Sequence, residues 1–81
     1  MKVRVSLFAQ MRREAGMSSW DLELPPGATL GNALEAFYEA HPRLRGFRSS
    51  VLAAVGLEYA AADQILRDGD EISLIPPVQG G

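Results

Sequence analysis

The chain has 81 residues, of which 47% are apolar and 22% charged, and a net charge of −2 at pH 7. That length makes one domain with a small core, and the apolar share excludes a disordered chain. The slightly acidic balance speaks against nucleic acid, which asks for a basic patch or stripe, and the lack of cysteine excludes disulfides, thiol nucleophiles and thiolate metal sites. No apolar run approaches the roughly 20 residues of a membrane span, and the first residues alternate like a strand rather than a signal peptide. A cytoplasmic protein with neither membrane nor nucleic-acid partner is expected.

Met1 to Phe8 alternates, with Val3, Val5 and Leu7 on one face and Lys2, Arg4, Ser6 and Phe8 on the other. Period-2 alternation of this kind predicts a strand. Ala9 to Ala15 predicts one or two helical turns closed by Gly16. Ser19 to Leu24 alternates again, with Trp20, Leu22 and Leu24 inward, and Pro25-Pro26-Gly27 ends it. The short connection makes these two strands an antiparallel pair. Thr29 is a good N-cap for a helix whose Leu30, Ala33, Leu34, Phe37 and Tyr38 form one apolar stripe. Gly31 weakens its first turn by about 1 kcal/mol relative to Ala. Pro42 stops the helix and pushes His41 out of the α region. The stretch from Leu44 to Ser50, with Arg43, Arg45 and Arg48, is expected to be a basic loop.

Val51 to Val55 is the third predicted strand; periodicity leaves its inward face open, with Val51, Ala53 and Val55 the favoured set. Gly56-Leu57 suits a type II′ turn, with glycine at its first central position. Glu58 to Ala60 starts a short return strand, and Ala61 to Leu66 is irregular. Arg67-Asp68-Gly69-Asp70 is a turn signal, so its acidic residues are assigned to turn chemistry rather than to a metal. Glu71 to Ile75 is the last strand, with Ile72 and Leu74 inward. The expected fold class is α+β: a mixed sheet of four to five strands with one main helix on one face. This is the order of the β-grasp, or ubiquitin-like, roll, in which the first and last strands lie parallel at the centre. Residues 1–75 form the domain and residues 76–81 an extended tail.

Parallel pairing puts Phe8 and Ile75 at the same end of the outer sheet face, the end from which the tail leaves. Tyr59 is a third candidate on the neighbouring short strand. Large apolar groups gathered on a solvent face predict a partner surface. No nucleophile, base and oxyanion-donor set is found. The single histidine, His41, sits at a helix end and is expected to cap it or face solvent. No phosphate loop is present.

What remains is the tail, Pro76-Pro77-Val78-Gln79-Gly80-Gly81. Two prolines cannot continue a central strand, and two glycines let another backbone close around them. Six extended residues reach about 20 Å, deep enough to enter a buried pocket. The α-carboxylate of Gly81 would be ionised at neutral pH. It becomes an acyl donor only after attack on the α-phosphate of ATP makes an acyl-adenylate. This chain has no ATP or magnesium site and is expected to bind no cofactor, so a separate enzyme must supply that step.

The segments LFAQMRREAG, LAAVG and LRDGDEISLIPPVQGG, together with the length, resemble the small, sulfur-carrier subunit of molybdopterin synthase, in the MoaD/ThiS family of ubiquitin-like proteins. The Pro-Pro-Val-X-Gly-Gly ending is the most specific part. The resemblance implies that a ubiquitin-activating-like adenylyltransferase, using ATP and magnesium, adenylates Gly81. A sulfur donor such as a cysteine desulfurase or a rhodanese-like protein then makes a thiocarboxylate. The tail enters the large synthase subunit, which supplies the catalytic side chains, and sulfur passes to cyclic pyranopterin monophosphate to form the molybdopterin dithiolene. The resemblance also implies a heterotetramer and an apolar contact patch at Phe8, Tyr59 and Ile75. Gly56-Leu57 stands where the family often has an Asn-containing turn, and Ile75 where it can have an aromatic. Three other functions stay open: a carrier for thiamine or tRNA thiolation, a ubiquitin-like protein modifier, and a plain binding module with an inert tail.

Overall fold

Alternation in the chain becomes alternation in space. The computed structural model describes residues 1–77. In it β1 (Lys2–Leu7) buries Val3, Val5 and Leu7 and exposes Lys2 and Arg4. β2 (Ser19–Glu23) pairs antiparallel with β1, setting Lys2 opposite Glu23 and Ser6 opposite Ser19. Between them α1 (Ala9–Ala15) anchors itself with the buried Met11 and ends on Gly16 at φ 69°. That left-handed turn is what glycine adopts without a Cβ penalty.

β5 (Glu71–Ile75) lies parallel to β1, with Val5 opposite Ile72 and Leu7 opposite Leu74. Its other edge pairs antiparallel with β3 (Leu52–Val55), and β3 with the short β4 (Glu58–Tyr59). The five strands run in the order β2-β1-β5-β3-β4, the expected mixed sheet with β1 and β5 parallel near its middle. Gly56, at φ 64°, makes the two-residue turn between β3 and β4, and Leu57 has no positive φ, the pattern a type II′ turn demands.

One face of this sheet is covered by α2 (Leu30–Ala40). Its Leu30, Ala33, Phe37 and Tyr38 join Val3, Val5, Leu7, Ile72 and Leu74 in a single core. Each such large side chain contributes roughly 1.5–3 kcal/mol by leaving water. The inward set of β3 is as expected: Ala53 and Val55 stand opposite Leu74 and Ile72 and pack on the core with Val51. Ala54, on the other face, is nonetheless buried between its partners Ser73 and Tyr59.

The start of α2 is more fully capped than Thr29 alone suggests. The Thr29 hydroxyl accepts from the Asn32 N–H, and the Asn32 side chain accepts from the Thr29 N–H at 2.9 Å. The next two amides, of Leu30 and Gly31, donate to the carbonyls of Gln64 and Ala62. The irregular segment after β4 therefore serves as a second cap. A Cβ on Gly31 would lie 3.2 Å from the Ala62 carbonyl oxygen, which explains a glycine in a first helical turn.

The expected basic loop is instead ordered as a 3-10 helix, Pro42–Phe47, with Pro42 in its first turn and Leu44 buried beneath it. Proline's fixed φ favours such a start, and the apolar Leu44 gives the turn a face to bury. His41 leaves the α region, as expected before proline, at φ −129° and ψ 68°. It does not face solvent freely: its ring packs edge-on against Trp20 at 4.7 Å and lies 5.0 Å from Phe37. Among the described residues no helix is long and apolar enough to cross a membrane.

Candidate functional site

The uncovered sheet face is divided into zones by strand register. At one end Arg4 stands opposite Asp21 on β2 and Glu71 on β5. Arg4 Nε donates to Asp21 Oδ1 at 2.9 Å. That hydrogen bond and the guanidinium charge hold the Asp21 carboxyl below its ordinary value and raise Arg4 above its own. Both groups are exposed, so solvent screens the pair. The middle of the face is a polar row of Ser19, Ser6 and Ser73, paired across three strands. Ser6 Oγ donates to Glu71 at 3.3 Å.

The far end is apolar. Because Leu7 lies opposite Leu74, the next residues, Phe8 and Ile75, leave their strands side by side. Antiparallel pairing then sets Leu52 opposite Ile75. Tyr59 stands opposite Ala54 on the same face. Phe8, Leu52 and Tyr59 are 43%, 54% and 69% exposed, while Ile75 is half-buried between its neighbours. Phe8 is extended, and Ala9 at φ 50° turns the chain away directly after it. Of the three side chains expected from the sequence, Phe8 and Ile75 thus share one end of the face, as parity demanded, while Tyr59 lies on the same face one row inward, level with Ser73 through Ala54. Leu52 was not singled out from the sequence, although the signal was present. Once Val51, Ala53 and Val55 face inward, the residue between the first two must face outward.

β5 ends at Ile75, Pro76 is buried and Pro77 is exposed. The tail therefore departs from the apolar end of the face. The expectations placed on Val78, Gln79, Gly80 and Gly81 lie outside the described residues.

Other candidate groups have structural uses. Asp68 accepts the Lys2 N–H at 2.7 Å and Asp70 the Arg67 N–H at 2.8 Å, tying the turn to the start of β1. Among the described residues no group of three His, Asp or Glu is placed to hold a metal ion. A surface concavity of about 370 Å³ is lined by Lys2, Arg4, Asp21, Asp68 and Glu71, at the opposite end from the apolar row. The apolar row itself is an open surface at the edge of a sheet. That shape suits another protein rather than a small molecule.

Comparison with known proteins bears on what that partner is. The ThiS family model matches residues 5–81. A molybdopterin synthase sulfur carrier subunit from Chlamydomonas reinhardtii is 35% identical, covering 100% of both chains. The crystal structure of SAMP1 from Haloferax volcanii superposes with a TM-score of 0.91 at 31% identity, also covering 100% of each. A protein–protein complex of subunits 1 and 2 of molybdopterin-converting factor from Helicobacter pylori contains a chain with a TM-score of 0.75 and 26% identity, again over 100% of both.

Proposed function

This chain belongs to the ThiS family, and from that premise we propose that it is the sulfur carrier subunit of a molybdopterin synthase. The full-length likeness to the sulfur carrier subunits carries this reading. The apolar row of Phe8, Leu52 and Ile75 at the root of the tail, with Tyr59 one row inward on the same face, supports it.

The chemistry follows from the terminal carboxylate. A Gly81 oxygen attacks the α-phosphorus of ATP and pyrophosphate leaves, giving a glycyl adenylate. The outer sulfur of a donor protein's persulfide then attacks the acyl carbon and AMP departs, giving an acyl disulfide. A thiol reductant cleaves its S–S bond, releasing the thiocarboxylate and leaving the donor cysteine disulfide-bonded to the reductant. ATP and magnesium belong to the adenylyltransferase in this scheme. The loaded tail enters the large synthase subunit, which acts on cyclic pyranopterin monophosphate. Two carriers deliver the two sulfurs of the dithiolene. In this reading the large subunit docks on the apolar row; that a relative from Helicobacter pylori forms a protein–protein complex of subunits 1 and 2 supports such a partner. Pro76 and Pro77 hold the tail extended, and Gly80 and Gly81 leave room for a narrow channel.

The test is a carrier with one residue added after Gly81. It folds normally but no longer supports molybdopterin synthesis. Retained synthesis by the extended chain contradicts the reading. A Gly80→Val chain is expected to fail as well, because a β-branched side chain would meet the channel wall.

A second reading, that of a protein modifier joined through Gly81 to lysines of targets, is supported by the likeness to SAMP1, a protein whose name is small archaeal modifier protein 1. It predicts isopeptide-linked ladders on a denaturing gel that vanish when Gly81 is removed.

A further inference from the structure

The net charge of −2 conceals a strong separation of charge along the sheet. α1 joins the ends of β1 and β2 at the Phe8 end of the sheet. α2 starts near the opposite end, after β2, and runs back. The 3-10 helix that follows packs against both α1 and α2. The topology therefore gathers Arg12 and Arg13 of α1, Arg43 and Arg45 of the 3-10 helix, and Arg48 just beyond it, at the end from which the tail leaves. They are five of the chain's eight basic residues, and every one is exposed. None forms an ion pair among the described residues, where the Arg4–Asp21 pair is the one formed.

The opposite end holds most of the acids, beside Lys2, Arg4 and Arg67. Glu23 is paired with Lys2. Asp68 and Asp70 sit in the turn tied to Lys2 and Arg67. Glu71 accepts from the N–H of Gly56 in the β3–β4 turn, beside Glu58. Asp63 follows Ala62, which caps the start of α2. A six-residue strand such as β1 spans roughly 20 Å. The Debye length at physiological salt is about 8 Å. A partner approaching the tail end therefore feels the arginines, while the acidic end is screened.

We propose that these arginines form a collar around the tail root that steers the chain, tail first, onto a rim of carboxylates at the tail-receiving mouth of the large synthase subunit. The proposal rests on the sulfur-carrier reading above. Continuity selects a protein as the occupant: the collar adjoins the apolar row of Phe8, Leu52 and Ile75, so one partner can cover both. Glu14 on α1 and Glu35 and Glu39 on α2, the last two beside Arg45 and Arg48, interrupt the arginines, which disfavours a run of phosphates as the ligand. Complementary charge of this kind acts chiefly on the association rate and leaves an ionic-strength signature.

The experiment is stopped-flow association of the full chain with the purified large subunit across a salt series. The wild-type rate is expected to fall at least about tenfold from low to high salt. A variant carrying Arg12→Gln, Arg13→Gln, Arg43→Gln and Arg45→Gln is expected to lose most of that dependence. The pairs Arg12→Gln with Arg13→Gln and Arg43→Gln with Arg45→Gln, made separately, each give part of the loss and serve if the fourfold variant does not fold. The control, Glu58→Gln with Asp63→Asn at the far end, stays within about twofold of wild type. A salt-insensitive wild-type rate overturns the collar and leaves the sulfur-carrier reading standing. So does a folded arginine variant that associates as fast as wild type, even if it has lost affinity for a short RNA duplex in a parallel anisotropy titration. Absence of any association with the large subunit overturns both.

Discussion

Gly31 shows how a single residue can look like a defect in the sequence and be a requirement in the fold. Helix propensity alone says that alanine there would stabilise α2 by about 1 kcal/mol. The structure opposes that gain: the new Cβ would stand 3.2 Å from the Ala62 carbonyl oxygen, which accepts the Gly31 N–H at 2.8 Å. Gly31→Ala is expected to forfeit the propensity gain, leaving stability in urea unfolding within about 0.5 kcal/mol of wild type or below it; a variant stabilised by the full gain of about 1 kcal/mol contradicts this. Tyr38 offers the opposite case. Its hydroxyl is buried without a hydrogen-bond partner, and burial pushes its pKa up. A hydroxyl left unpaired costs roughly 1–3 kcal/mol, so Tyr38→Phe is expected to raise stability by about 1 kcal/mol. The ring still packs on Phe37 and still lies beneath Arg48. Asp21 carries a pH prediction. Its carboxyl is held below the ordinary value of about 3.9, so the ion pair stabilises the fold above that pH. The contribution fades as pH falls through the depressed value. Arg4→Gln should move the Asp21 titration, followed by NMR, back up toward the ordinary range; an unmoved midpoint contradicts the pairing.

At the scale of elements, the cap of α2 is the most exposed to a simple test. Thr29→Ala removes the acceptor for the Asn32 N–H and is expected to cost about 1 kcal/mol of unfolding free energy. All five strands and both α-helices were legible in the sequence: β1, β2, β5 and α2 from a clear period, and the others from their stop or turn residues, Gly16 and Gly56 among them. The 3-10 helix was not, since Pro42, Leu44 and Phe47 are too few to show a period and three arginines nearby suggest a loop. The reciprocal Asn32 bond was missed because asparagine replaces the usual Glu or Gln of a capping box. His41 was placed at a helix end correctly, but its aromatic surroundings depend on Trp20 from another strand, which no local pattern reports. The shared end of Phe8 and Ile75 was legible because parity on parallel strands fixes which side chains share an end. Leu52 required the register of a third strand. Leu52→Ser is expected to change stability by no more than about 0.5 kcal/mol, as an exposed position should, while weakening binding of the large subunit; unchanged binding removes Leu52 from the interface.

At the scale of the whole molecule, a chain of this size has one small core. Domains are stable by only about 5–15 kcal/mol. Phe37, fully buried among Trp20, Tyr38 and His41, lies at its centre. Phe37→Ala is expected to cost roughly 3–5 kcal/mol, a large fraction of that stability. One sheet face is thus committed to the core, and the other, with its apolar end beside the tail root, is left for a partner. The most direct test of the account is the intact mass of the protein after incubation with ATP, magnesium, its activating enzyme and a sulfide source. The account predicts a mass gain equal to replacing one oxygen by sulfur, localised to Gly81. An unchanged mass, under conditions where another sulfur carrier of the family is converted, would contradict it.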